Sequence, residues 1–190
     1  MSALGRGFVA VVPPGDVLDA IEARVAPVRA AHGDLRWNRR EQWHVTLRFL
    51  GRVSDVDALL AALRESLARE PSVAAVSLGG SGAFANARRA SVVWLGVREG
   101  TDALARIAAA VEAASVAVGF EPEPRAFRAH LTVARVPRPR DVTAVLTALG
   151  DDQAGRAWRL DDVVLVSSDT RADGAVYSEV ARIPLATMGA

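Results

Sequence analysis

Apolar positions along the chain switch repeatedly between the period of a strand and that of a helix. Phe8–Val12 is an unbroken apolar run and predicts a buried strand. From Asp16 to about Ala31 the pattern is helical, with Pro27 expected to kink or shorten the helix and Gly33 placed to end it. Val45–Leu50 predicts a strand. Ser54 or Asp55 then caps a helix that sets Val56, Leu59, Leu60, Leu63 and Leu67 on one face. Val73–Leu78 and Ser91–Val97 predict strands, and Thr101–Val118 predicts a helix with Leu104, Ile107 and Val111 at helical spacing. Between those strands, Gly79–Gly82 is expected to be a flexible loop beside the cleft; no Gly-Lys-Ser/Thr follows, so it is not a phosphate loop. Leu131–Val136 predicts a strand and Asp141–Leu149 a helix. Val163–Ser167 and Val176–Ile183 predict strands joined across Asp173-Gly174, a favourable hairpin turn.

The pattern repeats. Residues 8–63 lie over 94–149 at a constant offset of 86, without a gap, and 18 of the 56 pairs are identical. Four are alanine pairs, which this Ala-rich chain yields easily. The others include Asp16/Asp102, Ile21/Ile107, Val25/Val111 and Gly33/Gly119. The best stretch runs from His44 to Leu63 over His130 to Leu149, and His-x-Thr opens both copies. A repeat this long implies two related lobes and not a solenoid. The expected fold is α+β: one bilobal domain over residues 1–190 with an approximate two-fold axis. Two small, mostly antiparallel sheets are expected to face a central cleft, with helices outside.

Composition narrows the chemistry. With 51% hydrophobic and 24% charged residues the chain is globular and not disordered. The absence of cysteine excludes disulfides, thiolate nucleophiles and cysteine-ligated metals. No signal peptide or membrane span is apparent, so a cytoplasmic protein without a membrane partner is expected. A net charge of +1 points to no partner by itself. All of the basic side chains are arginine, which suits bidentate contact with phosphate but also fits a compositional bias.

Residues i and i+2 of a strand share a face. His44 and Thr46 therefore point one way, as do His130 and Thr132, while Val45, Leu47, Leu131 and Val133 point into the core. A two-fold relation would bring both imidazole–hydroxyl sets to one cleft. Two histidines there suit phosphate-ester cleavage. One neutral imidazole takes a proton from water and the other, protonated, gives one to the leaving oxygen. The hydroxyls can donate to phosphate oxygens as their charge grows. One such tripeptide on a strand is usually an ordinary half-buried histidine; two at equivalent places in a repeat are harder to explain structurally. Zinc would need a third ligand, and only His32, at a predicted helix end, remains. No metal and no cofactor are expected.

The segments His44-Val-Thr-Leu-Arg-Phe-Leu-Gly51 and His130-Leu-Thr-Val-Ala-Arg135 resemble the paired motifs of the 2H phosphoesterase superfamily, most closely its RNA 2′,3′-cyclic phosphodiesterases, also called 2′-5′ RNA ligases. Phe8-Val-Ala, the stretch from Gly82 through Val97, and Val164-Leu-Val-Ser-Ser with Asp173-Gly-Ala-Val-Tyr177 extend the resemblance over nearly the whole chain. It implies metal-independent hydrolysis of an RNA terminal 2′,3′-cyclic phosphate to a 2′-phosphomonoester. His44 would be the proton donor to the leaving 3′ oxygen and His130 the proton acceptor from water. Arg135 would contact the phosphate, although strict alternation from His130 points it away, so a bulge, the strand end or side-chain reach must help. Phe8 would stack on a base or be a core aromatic. The superfamily's Pro-Pro-Glu-type turn is replaced by Asn38-Arg-Arg-Glu41, whose Arg39 and Arg40 could extend the phosphate-binding surface.

Other arginines flank the cleft elements: Arg48, Arg88, Arg89, Arg125, Arg128, Arg138 and Arg140. Trp37 and Trp43 could stack on RNA bases, while Trp94 and Trp158 are expected in packing roles. The implied partner is an RNA or oligonucleotide end bearing a 2′,3′-cyclic phosphate; no obligate protein partner is inferred. Reversible 2′-5′ ligation, a non-catalytic RNA-end-binding module, and action on a small cyclic phosphate remain as alternatives.

Overall fold

A computed structural model of the chain describes residues 3–171 and 174–187. In chain order its elements are β1 (Leu4–Val11), α1 (Gly15–Ala31), β2 (Arg36–Trp37), β3 (Val45–Val53), α2 (Val56–Leu67), β4 (Val73–Phe84), β5 (Ala90–Glu99), α3 (Thr101–Ala117), β6 (His130–Arg140), α4 (Thr143–Leu149), β7 (Gln153–Leu160), β8 (Asp162–Arg171) and β9 (Gly174–Pro184). The α+β class is as expected. α1 runs through Pro27 to Ala31 and is not cut short there. α2 begins where the Asp55 carboxylate accepts the Ala58 N–H at 3.0 Å. The Asp173 half of the predicted hairpin turn lies outside the described residues.

The strands follow one path, β7-β4-β5-β6-β3-β1-β8-β9, with β2 beside β6. All the named ladders are antiparallel. Each half contributes four strands to the path, which crosses from one to the other at a single β3–β6 pair, Val45 opposite Leu131, with β2 adding Arg36–Arg135 and Trp37–Ala134 beside it. The two expected sheets are thus stitched into one curled sheet at a short seam. Val45 and Leu131 are themselves separated by 86, as are both ends of α1 and α3. Two such positions pairing with one another is what an approximate two-fold axis through the seam requires.

That pair dictates where the chemistry goes. Val45 and Leu131 are fully buried in the core shared with the helices. Their neighbours in sequence, His44, Thr46, His130 and Thr132, must therefore point to the other side. The core takes Ile21 and Val25 of α1, Leu59 and Leu63 of α2, and Ile107 and Val111 of α3, together with Val9, Val45, Leu95 and Leu131 of the sheet. Among the described residues no helix is long and apolar enough to cross a membrane.

Two details differ from expectation. Gly79–Gly82 is not a loop but the middle of β4. Gly80 sits at φ +69 where the ladder shifts, and a Cβ on Gly82 would fall 2.2 Å from the Trp94 ring. The glycine lets the indole lie flat on the neighbouring strand. The second detail is Trp43, which is 1% exposed in the core and unable to meet a base. Trp37 is half-buried, with its indole N–H donating to the His32 carbonyl at 2.9 Å.

Candidate active site

Both histidines, both threonines and Arg135 line one cavity of about 600 Å³. Each imidazole is held in the same manner. The His44 Nδ1 lies 2.8 Å from the Gln42 carbonyl, and the His130 Nδ1 lies 2.7 Å from the Arg128 carbonyl. A carbonyl can only accept, so Nδ1 carries the hydrogen and Nε2 is the nitrogen left for chemistry. Gln42 and Arg128 are again separated by 86. The His44 Nε2 meets the Thr46 hydroxyl at 3.0 Å.

An aromatic residue backs each histidine. The Phe8 ring stacks on His44 at 4.6 Å and 22°, and Trp94, at the equivalent position, meets His130 edge-on at 6.4 Å. Tyr177 sits edge-on to both Phe8 and His44, and Phe84 edge-on to His130 at 4.6 Å. Phe8 is 3% exposed and does not line this cavity, so it buttresses His44 and offers no face to a base. Trp94, expected only to pack, belongs instead to the shell of His130.

Arg135 reaches the cavity by a bulge. Val93 opposes Ala134, but Trp94 opposes Thr132, which leaves Val133 without a partner on β5. Val133 and Ala134 are both buried, the alternation flips, and Arg135 emerges exposed on the histidine face. The equivalent Leu47 is skipped between Val9–Arg48 and Ala10–Thr46 on β3. That shift buries Arg48 and turns out Phe49, which is 60% exposed beside the cavity.

Electrostatics keep both imidazoles neutral at pH 7. Burial pulls His44 down to about 4; the Arg135 charge, and that of His130 whenever it is protonated, act in the same direction against the Gln42 carbonyl. His130 is also lowered, chiefly by burial, with Arg128 and Arg135 contributing. Among the described residues no three His, Asp or Glu side chains gather as a metal site would need.

Arg40 is not free for phosphate: it pairs with Asp19 at 2.6 Å and donates to the Gly15 carbonyl at 2.9 Å. Gln42, which stands in no motif, also lines the cavity, as do Asn38, Phe84, Arg128 and Tyr177, to which the sequence alone assigns no specific role there. The offset of 86 was a usable signal for Gln42 with Arg128 and for Phe8 with Trp94. None of these pairs is identical, so a search for identities misses them.

The family model described as the 2′-5′ RNA ligase superfamily matches residues 17–172. The chain belongs to that superfamily. Among curated members, an RNA 2′,3′-cyclic phosphodiesterase of Archaeoglobus fulgidus is 32% identical over 92% of this chain and 97% of its own length. One of Aeropyrum pernix is 32% identical over 78% of this chain and 85% of its own. A crystal structure from Thermus thermophilus superposes with a TM-score of 0.78 at 24% identity, covering 97% of this chain and all of the other. Apo LigT of E. coli gives 0.72 at 23%, covering 97% and 99%. These last two show that the fold is shared.

Proposed function

We propose that this chain hydrolyses the 2′,3′-cyclic phosphate at an RNA end, leaving a 2′-phosphomonoester, by acid–base catalysis between His44 and His130 without a metal ion. The observation that carries the reading is the pair of imidazoles in one cavity, each with Nδ1 committed to a backbone carbonyl, so that Nε2 is the nitrogen that can exchange a proton. Curated relatives named RNA 2′,3′-cyclic phosphodiesterase support the substrate class.

In this reading His130 Nε2 takes a proton from water as the water oxygen attacks phosphorus. His44 Nε2 gives a proton to the departing 3′ oxygen. The P–O3′ bond breaks and the phosphate stays on O2′. His44 must be charged for this role, and its burial resists charging. The negative phosphate supplies the missing favourable charge beside it. Thr46 and Thr132 hydroxyls donate to non-bridging oxygens, and Arg135 balances the charge that grows on them. We also read the chain as one two-lobed domain in which each lobe supplies one histidine and one hydroxyl.

The test is phosphorus NMR on a dinucleotide ending in a 2′,3′-cyclic phosphate, incubated with the protein in EDTA. A 2′-phosphate signal is expected. A 3′-phosphate, or activity that EDTA removes, would overturn the regiochemistry or the metal independence respectively.

A further inference from the structure

Residues 118–129, between α3 and β6, contain no helix or strand. Glu123, Arg125, Ala126, Phe127 and Arg128 of this stretch nevertheless line the cavity. A wall built from irregular backbone needs to be held, and one charge pair, buried on its arginine side, does it.

The Arg48 side chain on β3 is 4% exposed and ion-pairs with Glu112 of α3. Its Nη2 donates to the Glu121 carbonyl at 2.7 Å. The other oxygen of Glu112 accepts the Glu123 N–H at 2.9 Å, and the Glu123 carboxylate accepts Arg125 Nε at 2.9 Å. A single pair thus joins a strand, a helix and two points of the loop. Burying the Arg48 charge against a half-buried carboxylate is a poor route to stability, because well-packed apolar side chains of similar shape do as well or better. What the guanidinium adds is reach in two directions: one end ion-pairs with the Glu112 carboxylate while Nη2 donates to the Glu121 carbonyl.

We propose that Arg48 and Glu112 are positioning residues that hold residues 119–127 as the substrate-facing wall of the cavity, setting affinity for the RNA end and leaving proton transfer alone. The inference rests on the phosphodiesterase reading above. The far end of the loop is held separately. The Arg128 carbonyl accepts from His130, and its guanidinium lies 4.8 Å above the Trp94 ring and 5.6 Å from that of Phe84. His130 therefore keeps its orientation when the latch is lost.

The test compares wild type with the double variant Arg48→Met/Glu112→Leu, which removes both charges together and leaves no carboxylate stranded. Thermal midpoint, KM, kcat and the pH profile of kcat are measured on a dinucleotide 2′,3′-cyclic phosphate. Trypsin cleavage of the folded protein after Arg125 is followed in parallel. The midpoint is expected to stay near wild type, with KM up about tenfold and kcat within about twofold. The pH profile should keep its shape, and cleavage after Arg125 should accelerate about tenfold as local opening grows easier. Wild-type KM with wild-type cleavage overturns the proposal. So does a joint fall of midpoint, kcat and kcat/KM, which marks a merely structural pair. If the wild-type protein leaves the cyclic phosphate untouched, the phosphodiesterase reading fails, while the trypsin comparison still reports on the latch.

Discussion

At the scale of single residues, His44 makes the sharpest claims. Its ordinary value is 6.5, and in the fold it is pulled down to about 4, chiefly by burial. Between those values the unfolded chain binds a proton that the folded chain refuses. Stability is therefore intact above pH 6.5 and is lost as pH falls towards 4, by up to about 3 kcal/mol from this group. Urea unfolding at pH 7 and pH 4.5 should show the loss in wild type and a much smaller one in His44→Gln. Equal losses would assign the effect elsewhere. Arg135 makes a different claim. Its charge acts on both histidines and it lines the cavity. Arg135→Gln should lower kcat/KM on the cyclic phosphate by about tenfold to a hundredfold while thermal stability stays within a degree or two. Unchanged kinetics would remove Arg135 from the site. The histidines and threonines were legible in the sequence because strand alternation and repetition both marked them. Phe8 was not, since whether an aromatic on that face is open or covered depends on Tyr177, 169 residues away in sequence and edge-on at 5.1 Å. Arg48 and Arg40 read as two more cleft arginines; their carboxylate partners on α3 and α1 are invisible to local pattern.

At the scale of elements, the strand and helix periods located the helices and most strands, and the boundary errors are short extensions. β7 went unread because Gln153-Ala-Gly-Arg-Ala-Trp-Arg-Leu160 has small and charged residues where a strand signal needs β-branched ones. β4 was cut short for a related reason: glycines read as a loop, while their actual cause is Trp94 on the neighbouring strand. This yields a direct expectation. Gly82→Ala should push the indole off β4, cost about 1–3 kcal/mol and disturb His130, which Trp94 contacts. Urea unfolding and the emission of Trp94 check it, and a variant with wild-type stability would show that the close approach is tolerated. The bulges after each His-x-Thr were a need that the sequence could state for Arg135 but not locate. Only the β1–β3 and β5–β6 registers reveal that Leu47 and Val133 are the skipped residues.

At the scale of the whole molecule, β3 and β6 share one ladder pair, yet the apolar faces of the two sheet halves merge into one core. Unfolding should therefore be a single cooperative transition, with far-UV circular dichroism and tryptophan emission coinciding. Two separated transitions would mean that the lobes are independent. The placement of one histidine and one hydroxyl from each half on a common face follows from the Val45–Leu131 pair. This makes the two imidazoles a unit, and groups that act as a unit fail together. The decisive measurement is single-turnover hydrolysis of a dinucleotide 2′,3′-cyclic phosphate by wild type, His44→Ala, His130→Ala and the double variant. Each single substitution is expected to cost about a thousandfold or more, and the double about as much as the worse single. A single variant retaining a tenth of wild-type activity, or losses that multiply in the double, would contradict two-histidine catalysis in this cavity.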